Sequence, residues 1–441
     1  MEVADPYRWL EDGAAADVRA WTTAQNERTR TALDAVPARG RFRARLAELT
    51  QAGTATAPCV RGDRLFTVDR WGDRDRAALV VRSISAPAPG PGRILIDPAD
   101  ASGEVTSAID WYQPSPDGAL VAFGTSVGGD ERSTLRILDV ASGTLLPDAL
   151  PHTRAASVAW LPDESGFAYT RYPDPTEVGD EEAGYHRTVW WHRLGDAATA
   201  DTPCFVDLPD KEAWPEVSIS ADGRWLLVHV ERGWSQTDVH LLDRSSAEWT
   251  TIVEGIEATT WLRVDSPHER LVGETTLGAP RGRLVALPLT GHPERLARLP
   301  EGVVDPSRLA TDLVPEGDDV LTAAAITGDH LLVLRSRAGV SSLHHHAADG
   351  THLAEVTAVT GGLAAVSALA AHPSAPDLVA VGHASFTRPD AVTAWRPEAA
   401  PAPLTALGGP AIGAATVTQV RYASTDGTQV PMLLVHGAET T

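Results

Sequence analysis

Between residues 55 and 415 short apolar runs alternate with clusters of Ser, Pro, Asp and Gly, and one unit recurs: a turn cluster followed by a strand-forming run. Ser115-Pro116-Asp117-Gly118 precedes Leu120-Val121-Ala122-Phe123. Pro162-Asp163-Glu164-Ser165-Gly166 precedes Phe167-Ala168-Tyr169, and Ser220-Ala221-Asp222-Gly223 precedes Trp225-Leu226-Leu227-Val228. Shorter versions are Gly62-Asp63 before Leu65, Ser266-Pro267 before Leu271, Gly328-Asp329 before Leu331 and Pro376-Asp377 before Leu378. The strands begin near residues 65, 120, 167, 225, 271, 331 and 378, a spacing of about 52. Further apolar runs follow some of them, at Leu135–Asp139, Val189–Leu194, Val239–Asp243 and Leu284–Leu289. A multi-stranded repeat of this length is the pattern of a β-propeller blade, since one blade cannot bury both its faces and must stack against neighbours in a ring. Seven copies predict seven blades. The competing all-β arrangement is a sandwich.

The two ends read differently. Ala14–Thr31 is rich in helix formers, with Trp9, Val18 and Trp21 in partial helical period and Leu33 and Val36 farther on. Arg41–Leu49 restarts a short helix after Pro37, placing Phe42, Leu46 and Leu49 on one face. At the other end, the apolar runs Val417–Tyr422 and Val430–Val435 flank Asp426-Gly427, a strong hairpin signal. A lone hairpin is marginal in water, so this one reads as the start of a sheet. The expected division is a helical segment at 1–50, an all-β propeller at 55–415, and the start of a further domain at 416–441.

Composition narrows the function classes. The formal charge is −22, which opposes a nucleic-acid or anionic-membrane partner. Lys211 is the only lysine. Cys59 and Cys204 stand alone and far apart, so neither a disulfide framework nor a metal spacing is available, and a cytoplasmic setting is the simplest expectation. Asp5, Arg8, Glu11, Asp12 and Asp17 interrupt any signal core, and no apolar run approaches the ~18 residues of a membrane span.

The opening Asp5-Pro6-Tyr7-Arg8-Trp9-Leu10-Glu11-Asp12, with Trp21 and Ala24-Gln25-Asn26, resembles the start of the prolyl oligopeptidase family of serine peptidases. So do Ser115–Gly118 with Ala122-Phe123-Gly124, Trp160–Asp163 through Tyr169 with Tyr172-Pro173, and the tail Ser424–Thr428 with Val430-Pro431-Met432. The resemblance implies a helical segment packed on an α/β-hydrolase domain, with a seven-bladed propeller inserted between and residues 417–436 forming the first strands of the hydrolase sheet. It implies a Ser-His-Asp triad, cleavage of short peptides after proline, and a propeller that limits access. The triad falls beyond this sequence, so no catalytic residue is assigned here and the chain alone is expected to be inactive. A hydrolase domain, in cis or in trans, is the expected partner, and no cofactor is implied. The alternative is a free-standing propeller that binds peptides or proteins without catalysis.

Four groups of residues bear on chemistry. Gly124-Thr125-Ser126-Val127-Gly128 fits the nucleophile-elbow pattern, but no helix signal follows and no base is placed for Ser126. It is expected to lie in a blade loop. His344-His345-His346 puts 344 and 346 on one strand face and 345 on the other, with no third ligand evident, so no metal is expected. Asp180-Glu181-Glu182 lies in a Gly/Pro-rich loop and reads as solvated. Trp160, Trp190, Trp191 and Trp225 read as inter-blade core. The family resemblance puts a loop near Arg232-Gly233-Trp234 against the substrate cavity. It implies substrate-facing roles for Arg232, with which Glu231 could exchange, and for Trp234, against the plainer reading of a simple turn.

Overall fold

The computed structural model describes residues 4–72, 74, 76–86, 88–98, 107–208, 210–289, 310–357, 359, 363–407, 415–437 and 440. The chain forms two compact units, residues 1–52 and 53–441.

The first unit is helical, with α1 at Ala16–Asp34 and α2 at Arg39–Leu49. Trp9 and Trp21 meet edge to face at 6.1 Å. Val18 is its one buried apolar side chain among the described residues; Phe42 and Leu46 stay 60% and 59% exposed.

The second unit is the predicted ring. Among the described residues twenty-eight strands fall into seven four-stranded antiparallel sheets, each from one contiguous stretch of chain. The first blade is β1 (Thr54–Arg61), β2 (Arg64–Arg70), β3 (Ala78–Ser83) and β4 (Arg93–Ile96). The second is β5 (Ser107–Pro114), β6 (Leu120–Val127), β7 (Thr134–Asp139) and β8 (Leu145–Leu150). The third is β9 (Val158–Trp160), β10 (Gly166–Arg171), β11 (Thr188–Arg193) and β12 (Thr202–Phe205). The fourth is β13 (Trp214–Ile219), β14 (Trp225–Arg232), β15 (Gln236–Asp243) and β16 (Glu248–Val253). The fifth is β17 (Thr260–Asp265), β18 (Arg270–Thr275), β19 (Arg283–Pro288) and β20 (Thr311–Val314). The sixth is β21 (Val320–Thr327), β22 (His330–Arg337), β23 (Val340–Ala347) and β24 (His352–Glu355). The seventh is β25 (Ala365–Ala370), β26 (Val379–Ser385), β27 (Arg388–Arg396) and β28 (Ala399–Pro403).

The seven strands expected from the repeat are the second strand of each blade. The turn that introduces them explains its own sequence. At Ser220–Gly223 the Ser220 hydroxyl accepts from Trp225 N (2.9 Å), the Asp222 carboxylate accepts from Arg224 N (3.0 Å), and Gly223 takes φ 73°. At Ser115–Gly118 the same contacts recur: Leu120 N to Ser115 Oγ (3.0 Å), Ala119 N to Asp117 Oδ1 (2.7 Å), and Gly118 at φ 72°. Ser caps the returning strand, Asp holds the corner, and Gly supplies the left-handed backbone.

The core lies between blades. Leu226, Val228 and Val230 of β14 pack with Ala168 and Val189 of the third blade, whereas Leu227 packs with Leu262, Leu271 and Val285 of the fifth. Successive side chains point to opposite faces, and both faces are covered, so the run is continuously apolar. The same logic joins Phe66 and Leu79 to Val121 and Phe123, and Ile137 and Leu150 to Trp160 and Phe167. The ring closes without a shared strand: Ala55, Val60 and Leu65 of the first blade pack on Leu378, Ala380 and Val392 of the seventh. Trp160 is buried as expected. Trp190, Trp191 and Trp225 are half-buried: each packs against an inter-blade core cluster and lies beneath a guanidinium group, of Arg171, Arg244 and Arg224 respectively.

A final hairpin, β29 (Ala415–Ala423) and β30 (Gln429–Gly437), pairs with no other sheet among the described residues. It touches the β22–β23 turn, where Gln419 Nε2 donates to Ala338 O at 3.0 Å.

Candidate functional site

The antiparallel order places every second-to-third-strand turn at one end of the ring. The final hairpin touches that end at Ala338, and the β14–β15 turn carrying Trp234 projects from it. Arg232 is the last residue of β14 and pairs with Gln236; Trp234 is 99% exposed at the turn's tip. Asp238 lies two residues past Gln236 on the same sheet face, a diagonal neighbour of Arg232. Asp238 is fully buried, and its Oδ1 accepts from Gly255 N (2.8 Å) and Gln236 Nε2 (3.1 Å). Its Oδ2 stands 2.8 Å from Arg232 Nε, as a charge contact rather than a linear hydrogen bond. A buried carboxylate therefore fixes the stem of Arg232, and no hydrogen bond to a described residue occupies Nη1 or Nη2. Glu231 points to the opposite face. Burial first and the Glu216 charge second raise its carboxyl above the usual range. The two neighbours therefore have different surroundings.

The other sequence candidates resolve into structural roles. Ser126 lies inside β6 and not in a loop; it is buried and donates to Asp110 Oδ1 at 2.7 Å, and Ser133 donates to the other oxygen of the same carboxylate. A hydroxyl tied to a carboxylate acceptor, with no imidazole bonded to it, is not an activated nucleophile. His344 and His346 share a face of β23, as their alternation requires. Contrary to the expectation of an isolated pair, both lie against His352 of β24, with ring centroids 5.7 and 5.0 Å away. His345 turns the other way, to His330 and Trp395. Among the described residues no group of three side chains could hold a metal ion. Glu182 is exposed and pairs with Lys211 at 2.9 Å, which lowers its carboxyl. Cys59 and Cys204 are free thiols, both raised by burial, Cys204 to about 12, and a raised thiol is a poor nucleophile.

One cluster had no sequence signal. His192 is buried between Asp148 of the second blade (Nε2–Oδ1 3.0 Å) and Asp201 (Nδ1–Oδ1 2.7 Å), and Tyr169 donates to Asp201. Burial lowers the imidazole's pKa, but the hydrogen bonds to Asp201 and Asp148 outweigh it and hold it raised. The group is sealed from solvent and clamps two blades.

Residues 1–397 match the family described as "Prolyl oligopeptidase, N-terminal beta-propeller domain". The prolyl endopeptidase of Elizabethkingia miricola is 26% identical over 287 residues, covering 64% of this chain and 40% of that protein. Prolyl oligopeptidase A of Galerina marginata is 24% identical over 482 residues, covering the whole of this chain and 62% of that protein. A prolyl endopeptidase from a structural study of two such enzymes superposes with TM-score 0.86 and 28% identity, over all of this chain and 63% of that one. Prolyl oligopeptidase B of Galerina marginata, bound to a 35-residue hydrolysis and macrocyclisation substrate, superposes with TM-score 0.82 at 20% identity, a likeness of fold. The chain thus spans under two thirds of the relatives it matches. Among its described residues no helix is long and apolar enough to cross a membrane. The family match over nine-tenths of its length makes this chain a member of the prolyl oligopeptidase family, and its seven blades are that family's N-terminal propeller.

Proposed function

We propose that this chain is the helical segment and propeller of a serine endopeptidase that cuts short peptides after proline, the propeller limiting access to the catalytic centre. The observation that carries the reading is the family match over residues 1–397. A relative with TM-score 0.86 matches all of this chain with 63% of its own length, and the hairpin β29–β30 pairs with no other sheet among the described residues. In this reading residues 1–50 and 416–441 belong with an α/β-hydrolase domain and 55–415 form the cover. The hydrolase supplies Ser, His and Asp: Ser attacks the carbonyl, His takes and returns its proton, Asp orients His, and an oxyanion hole stabilises the intermediate.

Arg232 and Trp234 are the substrate-facing residues of the cover. They project from the end of the ring that the hairpin touches. Asp238 fixes the guanidinium stem and leaves Nη1 and Nη2 for a peptide carbonyl or carboxylate, and Trp234 walls the pocket. In the hydrolase-bearing enzyme Arg232→Ala should raise KM for a proline-containing peptide by roughly 10- to 100-fold, the loss of one charge-assisted hydrogen bond, with kcat nearly unchanged. Unaltered kinetics would remove Arg232 from the site. Proline-specific cleavage that is absent altogether, with peptide binding by the 441-residue chain alone, would instead favour a non-catalytic binding module.

A further inference from the structure

We propose a binding site for a small oxyanion, a carboxylate, sulfate or phosphate, at the mouth of the central channel where the first blade meets the seventh. This is the end of the ring opposite Trp234. The first strands of four blades and the segment after β25 surround a cavity of ≈ 690 Å³ lined by Arg61, Tyr112, Glu216, His372 and Ser374 among others.

Arg61 ends β1 and is 8% exposed. Its Nη1 donates to Val60 O at 2.7 Å and lies 3.1 Å from Cys59 Sγ. Its Nε is enclosed without a partner, and no hydrogen bond to a described residue fills Nη2. Nη2 is therefore the guanidinium donor left to an oxygen of a planar or tetrahedral oxyanion, as a charge-assisted hydrogen bond. A buried cation with unfilled donors is costly to keep, and an oxyanion supplies both the missing charge and an acceptor for Nη2. Gly118 leaves room for this arginine: a Cβ there would stand 3.1 Å from Arg61 Cβ.

His372 completes the site from the seventh blade. Its Nδ1 accepts from Ser374 N at 3.3 Å and meets Ser374 Oγ at 2.7 Å. That leaves the imidazole proton on Nε2, a neutral donor. Burial, and then the Arg61 charge, lower His372 to about 3, so the histidine does not compete with Arg61 for the anion's charge. Ser374 Oγ in turn accepts from Gly62 N at 2.7 Å, across the seam. The seam also buries an apolar cluster, so an anion held by Arg61 and His372 joins the two ends of the ring beside it. Glu216 of β13 lines the same cavity, and Tyr112 is neutral with its hydroxyl directed to Ala57 O and Phe66 O. The site is therefore matched to a single small anion and not to a polyanion.

The test uses the 441-residue chain, titrated with sulfate, phosphate and acetate at ionic strength held constant with chloride. The expected result is a saturable rise in melting temperature, at least roughly tenfold weaker in binding for Arg61→Gln. Histidine NMR with sulfate, which stays ionised in acid, should show the His372 titration moving up from about 3 as the bound anion offsets Arg61. Acetate acting alone assigns a carboxylate ligand, and equal effects of all three assign oxyanions generally. Should Arg61→Gln fail to fold, His372→Gln is the second variant, with binding weakened severalfold. A melting rise identical in the variants, or a His372 titration that ignores the added anion, would overturn the site.

Discussion

The blades and the two end segments use the same kinds of residue to opposite effect. In the blades Phe66, Phe123 and Phe167 are fully buried, because each strand has an apolar neighbour on both faces. In the helical unit Trp9, Trp21, Leu33, Phe42 and Leu46 are 43–60% exposed, and in the hairpin Tyr422, Met432, Leu434 and Val435 are 39–50% exposed. The propeller finishes its own core, and the two end segments each keep apolar side chains exposed. Exposed apolar surface is where another element can pack.

The largest effect should come from breaking the blades. Phe167 contacts the Trp160 and Tyr169 rings at 4.8 and 5.7 Å, and Phe167→Ala should cost about 3–5 kcal/mol, read as a lowered urea midpoint. Phe42→Ala should cost under about 0.5 kcal/mol in the 441-residue chain. In a hydrolase-bearing enzyme that covers Phe42, the cost should rise to about 1.5–3 kcal/mol. An equal small cost in both settings would mean that nothing packs on that helix.

Acid should divide the same two regions. All 15 histidines lie outside the helical unit. Burial lowers His229 and His372 to about 3, and it also lowers His240, His344, His345, His346 and His383. The unfolded chain then binds protons that the folded ring refuses, so stability present above about pH 6.5 is lost as pH falls below it. His192, raised by its two aspartates, works the other way: its contribution is present at low pH and fades as pH rises through its folded pKa. Urea midpoints should therefore fall between pH 7.5 and 5, and a His229→Gln variant that folds should show a shallower fall. The smallest effect is expected at Trp234: Trp234→Ala should leave stability within about 0.5 kcal/mol, since the ring is 99% exposed, while under the proposed function it should raise KM in a hydrolase-bearing enzyme.

The sequence made the second strands legible because both their faces are apolar and a Ser-x-Asp-Gly corner precedes the clearest of them. The outer strands were hidden. β24 is exposed at all four residues, β12 contains Pro203, and β28 contains Pro401 and Pro403, so neither apolar period nor strand propensity announces them. Around the candidate site, Arg232 and Trp234 were visible only through family resemblance. The Asp238 anchor needed the β14–β15 register. The Asp148–His192–Asp201 clamp and the approach of His352 to His344 and His346 depend on strand neighbours that no local spacing encodes.

The proposal to be tested is that a catalytic serine lies on the same polypeptide as this propeller, outside these residues. A fluorophosphonate probe applied to extract of the native cells, with the labelled polypeptide digested and mapped, tests it directly. The account predicts one labelled polypeptide that yields peptides of residues 1–441 and carries its label on a serine elsewhere. Label on Ser126, or an unlabelled polypeptide carrying the propeller, would contradict it.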